Sequence, residues 1–173
     1  MVKISSPFSS SSFSDDLNRD FKIAEVKSTD LKDWVSMALK LWPGEEGSPD
    51  KAKEEMRAEL SGILESPRDT ALLIRDLAGQ AVGFVNLSLC YEYVPGANRF
   101  PVAYVEGLYV AENRRRQGIG RFLIKQAEAW AIANGCTQMG SDVLIENEES
   151  CQFHTRVGFS EVERVVCFIK DME

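Results

Sequence analysis

Val105-Glu106-Gly107-Leu108-Tyr109-Val110, followed beyond Ala111–Arg114 by Arg115-Arg116-Gln117-Gly118-Ile119-Gly120, decides the reading of this chain. The first part is an apolar, β-prone run; the second is a basic turn with two glycines. Ile119, Phe122, Leu123, Ala127 and Trp130 then recur at helical spacing, so a helix starts near Gly118 and turns its free N-terminal amides toward the turn. Glycine lets a phosphate approach the backbone, and Arg114, Arg115, Arg116 and Arg121 bring positive charge. Strand, basic glycine turn and helix N-terminus together make a pyrophosphate cradle. The same residues also suit a plain helix start with a solvated basic face, so the order of the other elements has to decide.

That order is alternating. Phe21 to Val26 reads as a first strand, and Ser28 or Thr29 can cap a helix carrying Leu31, Trp34, Val35, Ala38, Leu39 and Trp42 on one face until Pro43-Gly44 stops it. Ser48-Pro49 starts a second helix toward Leu64. Thr70 to Asp76 and Gln80 to Val94 form a hairpin across Leu77-Ala78-Gly79, and Val102 to Val110 is the next strand. Beyond the Gly118 helix come a strand from Gln138 to Val143, a helix from Glu148 to Arg156, and a last strand from Val162 to Lys170. The result is an α/β chain with a mixed central sheet flanked by helices.

At 173 residues and 44% hydrophobic content the chain can bury one sizeable core, with no internal repeat and no linker for a second domain. Residues 1–20, serine-rich from Ser5 to Ser14 and without an apolar core segment, read as a mobile tail ahead of a single domain over 21–173. A net charge of −7 argues against a nucleic-acid partner and suits a cationic small substrate. No apolar run approaches the roughly 20 residues of a membrane span. Cys90, Cys136, Cys151 and Cys167 are scattered without a C-x-x-C pair, which reads as reduced thiols in a cytoplasmic protein and offers no metal site.

The motif Arg115-x-x-Gly118-x-Gly120 after a strand resembles the acyl-CoA-binding motif of the GNAT superfamily of N-acyltransferases; G-x-G-x-x-G and G-x-x-x-x-G-K-[ST] are both absent. Asn147 opening a short helix, Gly158-Phe159 ending it, and a final strand extend the likeness from Phe21 to the C-terminus. The resemblance implies the GNAT fold and acetyl-CoA as co-substrate. It also implies that Arg115, Arg116, Gln117, Gly118, Ile119, Gly120 and Arg121 hold the pyrophosphate. Backbone groups of Leu108, Tyr109 and Val110 then hold the pantetheine arm and thioester, and Asn147 contacts coenzyme A. Asn147 also suits a helix cap before Glu148.

A narrower likeness lies in Leu41-Trp42-Pro43-Gly44, Tyr91-Glu92-Tyr93-Val94-x-Gly96, Pro101-Val102, Glu106-Gly107, Gly140-Ser141-Asp142, Gly158-Phe159 and Glu161 to Val165. This set is similar to the aminoglycoside 6'-N-acetyltransferases of the chromosomal enterobacterial and Acinetobacter-type branch. It implies transfer of an acetyl group to the 6'-amine of an aminoglycoside, which confers resistance, and a homodimer built through C-terminal strands. Trp42, Tyr93, Glu106, Asp142 and Glu163 are then the residues that hold the antibiotic. Three carboxylates and two aromatic faces suit a polycation on physical grounds as well.

Each of these residues also has a structural use: Trp42 as a core anchor, Tyr93 as a cross-strand partner, Asp142 as a turn former and Glu163 as a solvated strand residue. Glu106 is different. It interrupts the apolar run from Val102 to Val110, where a carboxylate must be paired or functional.

Acetyl transfer needs a base for the ammonium, donors for the oxyanion and an acid for the leaving thiolate. Glu106 is the first candidate base and Asp142 the second. His154, the only histidine, stands where many GNAT members carry the tyrosine assigned as the acid, and is the candidate for that role here. Two rivals remain: a GNAT enzyme for another polyamine or amino-sugar, and an acyl-CoA-binding sensor without catalysis. Carboxylates at 106 and 142 beside an intact turn speak against the sensor, which has no need of a base.

Overall fold

A computed structural model describes residues 17, 19–43 and 48–172. The strands β1 (Phe21–Glu25), β2 (Asp69–Asp76), β3 (Ala81–Cys90), β4 (Val102–Val110) and β5 (Met139–Ser141) form one sheet in that order. The first four are antiparallel, and β5 runs parallel to β4. Among the described residues the helices α1 (Leu31–Leu41), α2 (Pro49–Glu65), α3 (Ile119–Ala133) and α4 (Glu148–Val157) accompany them. The serine-rich stretch and Gly44 lie outside the described residues.

The sheet separates two cores. On one face Trp34, Val35 and Ala38 of α1 and Met56 and Leu60 of α2 meet Leu73, Phe84 and Tyr109. On the other, Ile119, Phe122, Leu123 and Ala127 of α3 meet Ile74, Val85, Leu87 and Val105, with Phe153 and Val157 of α4 beside them. Leu17 is buried in this second core, so packing begins ahead of Phe21. These are the apolar stripes that the helical spacing picks out in the sequence. Arg75 of β2 reaches Asp33 at 2.7 Å and Asp30 at 2.9 Å, fastening the start of α1 to the sheet. A single turn of 3-10 helix, Ser28–Asp30, precedes α1 where the sequence suggests a direct cap at Ser28 or Thr29.

Three expected strands differ from what forms. The strand expected to run to Val94 stops at Cys90, leaving Tyr93 in the following loop. The strand expected over Gln138 to Val143 is only Met139–Ser141, because β4 departs from it beyond Val105 and no partner remains. The strand expected over Val162 to Lys170 is not formed: residues 160–172 are in no helix or strand. Val165, Val166, Phe168 and Ile169 of this segment are exposed, Ile169 at 97%. Apolar, β-branched sequence makes a strand only where a neighbour accepts its ladder.

Candidate active site

The site grows from one irregularity. Asn86 of β3 pairs with Gly107 and Leu87 pairs with Val105, so Glu106 is an extra residue in β4, a β-bulge. Ala103 donates its N–H toward the β5 side, to Gln138, whereas Ala111, an even number of residues on, donates toward β3, to Val82. In a regular strand both would face the same edge; the bulge reverses the alternation. Leu108 and Val110 therefore turn their N–H groups to the edge that β5 has left, and Tyr109 turns its own toward β3. The Tyr109 side chain is buried, stacked on Phe84 at 6.1 Å. Of the three backbone positions read from the sequence, Leu108 and Val110 sit on the open edge.

This open edge runs into the phosphate turn. Gly118, the N-cap of α3, has φ 84°, and Arg116 has φ 62°, the one non-glycine in the left-handed region among the described residues. Left-handed residues in a tight turn gather backbone N–H groups into an anion-holding concavity, here in line with the α3 N-terminus. The four arginines divide. Arg114 is bound to Asp76 at 2.6 Å and locks the turn to the β2–β3 hairpin. Arg115 donates from Nε to the Val110 carbonyl, and Arg121 donates to the Arg156 carbonyl of α4. Arg115, Arg116, Gln117 and Arg121 remain exposed around the concavity.

Gly120 has a second use beside the one the sequence suggests. A Cβ there would stand 3.0 Å from the Phe153 ring, so the small residue serves the contact of α3 with α4. Asn147 caps α4, its Oδ1 accepting from the Ser150 N–H at 3.1 Å.

On the opposite side of β4 lies a cleft of about 400 Å³ lined by Trp42, Glu59, Ile63, Asp69, Asn86, Leu87, Ser88 and Glu106. Trp42 lies directly over Gly107, where a Cβ would come within 2.3 Å of the indole. Glu106 accepts from the Ser88 hydroxyl at 2.5 Å. Beside it, the Tyr104 hydroxyl donates to Asp142 at 2.8 Å. Burial and that bond push the Tyr104 phenol well above the usual tyrosine range, with the charges of Asp142 and Glu106 adding to it. Tyr93 donates to Glu163 at 3.3 Å in an exposed pair.

The five residues expected to hold substrate thus fall into three groups. Trp42 and Glu106 line the cleft; Asp142 adjoins it through Tyr104; Tyr93 and Glu163 pair with each other outside its lining. Glu59 and Asp69, two further carboxylates of the cleft, carry no motif in the sequence. His154 stands at the fork between β4 and β5, its Nε2 3.0 Å from the Ser141 hydroxyl. Among the described residues no three His, Cys, Asp or Glu side chains come together as metal donors, and no helix is long and apolar enough to cross a membrane.

The model of the Acetyltransferase (GNAT) family matches residues 31–159, which include the open strand edge, the glycine turn and the helix N-terminus. The chain belongs to the GNAT acetyltransferase family. The aminoglycoside N(6')-acetyltransferase type 1 of Serratia marcescens is 43% identical over 142 residues, 82% of this chain and 93% of that protein. The enzyme of the same name from Acinetobacter baumannii is 35% identical over 150 residues, 87% of this chain and 98% of its own.

Solved structures agree. The 6'-N-acetyltransferase AAC(6')-Ih from Acinetobacter baumannii superposes with a TM-score of 0.80 at 33% identity, covering 88% of this chain and 99% of that one. AAC(6')-Iy in complex with the bisubstrate analog CoA-S-monomethyl-acetylneamine superposes with a TM-score of 0.78 at 32% identity, with coverage of 88% and 99%. GNAT acetyltransferases use acetyl-CoA, and the unpaired amides of β4 and the α3 N-terminus are what its pantetheine amides and pyrophosphate require.

Proposed function

We propose that this enzyme transfers the acetyl group of acetyl-CoA to the 6'-amino group of aminoglycosides. The observation that carries the reading is the junction at Glu106: an acidic, aromatic-walled cleft on one side of β4 and an open amide edge on the other, meeting at one residue. Similarity to AAC(6') enzymes over nearly their whole length supports the same acceptor.

In this reading the N–H groups of Leu108 and Val110 hold the thioester and pantetheine. Amides of Gly118, Ile119 and Gly120, with Arg115, Arg116, Gln117 and Arg121, hold the pyrophosphate. Trp42 lies against a sugar ring, and Glu106, Asp142, Tyr93 and Glu163, with Glu59 and Asp69, attract the ammonium groups. A primary ammonium must lose a proton before it can attack; Glu106, at the meeting point of the two clefts, accepts it, with Asp142 the second choice. Strand N–H groups stabilise the oxyanion, which in a pocket cleared of water is commonly the largest catalytic contribution.

The enzyme works as a cytoplasmic homodimer. Support comes from the exposed Val165, Val166, Phe168 and Ile169, β-prone residues lacking a sheet neighbour, which a second copy's segment supplies. Loss of the dimer in a chain truncated after Val162, by light scattering at micromolar concentration, is the expected outcome; a full-length monomer overturns this part.

The deciding experiment is thiol release from acetyl-CoA with kanamycin, tobramycin, an analogue bearing a 6'-hydroxyl, spermidine and a mixed peptide set. Turnover is expected with the two 6'-amino antibiotics and not with the 6'-hydroxyl analogue. Preference for spermidine, or turnover of the 6'-hydroxyl analogue, overturns the reading.

A further inference from the structure

Ser141 is the last residue of β5 and is in register with Val105, so its side chain stands where β4 and β5 part. Its hydroxyl lies 3.0 Å from His154 Nε2 and 3.2 Å from the Val105 carbonyl oxygen. The other imidazole nitrogen, Nδ1, lies 2.8 Å from the Ser150 carbonyl oxygen, one turn back in α4. A carbonyl only accepts, so Nδ1 carries the proton in the neutral ring and Nε2 presents a lone pair to the Ser141 hydroxyl.

The second protonation state is satisfied by the same atoms. If Nε2 gains a proton it donates to Ser141 Oγ, and the Ser141 hydrogen turns to the Val105 carbonyl. Both states keep the imidazole and the Ser141 hydroxyl partnered, and the change between them is rotation of one hydroxyl from His154 Nε2 to the Val105 carbonyl. Ser141 and His154 are both only partly buried, so the pair is open to the fork.

We infer that Ser141 and His154 form a proton relay for acetyl transfer, in which Ser141 passes a proton between the reacting groups in the fork and His154 stores it. The inference rests on the acetyl-transfer reading above. The entering ammonium gives up its first proton before attack. A C–N bond forms at the thioester carbon while the carbonyl π pair moves to oxygen. The nitrogen of this adduct still has a proton to lose. It goes to Ser141 Oγ as the Ser141 hydrogen passes to His154 Nε2. When the oxygen pair re-forms the carbonyl, the C–S bond breaks and sulfur leaves with its electrons. The imidazolium then returns the proton through Ser141 to the thiolate, and the relay ends as it began.

His154 is the only histidine, so the untagged chain labelled with 15N-histidine gives a single imidazole spectrum. The neutral ring is expected to show a protonated Nδ1 and a bare Nε2, the reverse of the tautomer that free histidine favours. Ser141→Ala is expected to lower kcat by about 100-fold, within the usual range for lost acid–base catalysis, while both KM values change little. Ser141→Thr, which keeps the hydroxyl, should restore most of kcat. Ser141→Ala combined with His154→Gln should be no slower than the slower single variant.

A neutral His154 protonated on Nε2, a Ser141→Ala enzyme with unchanged kcat, or losses that simply multiply would each overturn the relay. Where Ser141→Ala does not fold, as read by its melting temperature, the wild-type tautomer and the Ser141→Thr kinetics decide. A wild type inactive on every amine overturns the acetyl-transfer reading; an active wild type with an unaffected Ser141→Ala overturns only the relay.

Discussion

Replacing Gly107 with alanine tests the cleft at the point where backbone and substrate face meet. The added Cβ would stand 2.3 Å from both Cζ2 and Cη2 of Trp42 and 3.1 Å from Leu41 Cδ2. Carbon atoms attract at about 3.5–4.0 Å and repel steeply inside that, so the indole has to retreat by roughly 1 Å or more. It cannot retreat by moving its backbone, because the Trp42 N–H is bonded to the Ala38 carbonyl at 2.8 Å, and Phe84 packs against the indole at a centroid distance of 6.1 Å. The ring has to swing into the cleft.

Overpacking of this kind costs about 1–3 kcal/mol, which for a chain of this size lowers Tm by roughly 2–12 °C. The displaced indole also gives up its face to the ammonium-bearing sugar, about 1–2 kcal/mol, so KM for the aminoglycoside is expected to rise about 5- to 30-fold. KM for acetyl-CoA should change far less. Melting scans and steady-state kinetics at saturating acetyl-CoA read both numbers. The control is the same substitution in a Trp42→Ala background, where the obstructing atoms are gone and most of the added cost should vanish. Unchanged Tm and KM for Gly107→Ala, or an equal cost with and without Trp42, would refute the reasoning.

Glu106→Gln is expected to lose kcat and the acidic limb of its pH–rate profile, with Asp142→Asn showing that phenotype if Glu106→Gln does not; near-normal kcat in both would make a held water the base. Glu163→Gln, Glu59→Gln and Asp69→Asn should each raise the aminoglycoside KM by roughly fivefold, about 1 kcal/mol, with kcat little changed, and flat KM values would remove these side chains from the binding face. Gly118→Val forces a β-branched residue into φ 84° and should sharply raise the acetyl-CoA requirement of the folded enzyme; wild-type saturation would exclude the turn as the pyrophosphate site. The Tyr104 phenol, held protonated by burial and by Asp142, should ionise only well above the ordinary value of about 10 in ultraviolet difference spectra against Tyr104→Phe. Because the folded state holds that proton more tightly than the unfolded one, its contribution to stability is complete below about pH 10 and falls as pH rises beyond it, so Tyr104→Phe should flatten the alkaline decline in Tm.

The parts of the fold that sequence reveals are those written in single-chain periodicity. β4 is Val102–Val110 as its apolar run suggests, and α3 begins just after Gly118, because burying one face and closing one turn are local instructions. Strand ends are different. β5 ends at Ser141 because its pairing with β4 ends at Val105, and residues 162–170 join no strand although their sequence is apolar and β-prone; neither fact is local. The site divides in the same way. Glu106 is visible as a charge inside an apolar strand and the turn as a motif, whereas Glu59 and Asp69 come from an acidic helix and a strand start that look like ordinary surface. Ser141 lies inside a quoted motif, but its use depends on a histidine thirteen residues away meeting it across the fork.

The bulge at Glu106 explains why one strand can serve two substrates. Before it, Ala103 and Val105 face the α3 side; after it, Leu108 and Val110 do, and Tyr109 faces α1. Both core faces stay apolar because Glu106 stands outside the ladder between the two halves, and that residue is the one free to carry a charge. The same insertion turns the N–H groups of Leu108 and Val110 to the open edge and sets Gly107 under Trp42. A regular β4 that kept Glu106 in the ladder would drive Tyr109 into the α3 core and present the wrong amides to the fork. Substrate carboxylate, aromatic wall and cofactor edge are therefore consequences of a single break in strand register, and none of them can be moved along β4 independently of the others.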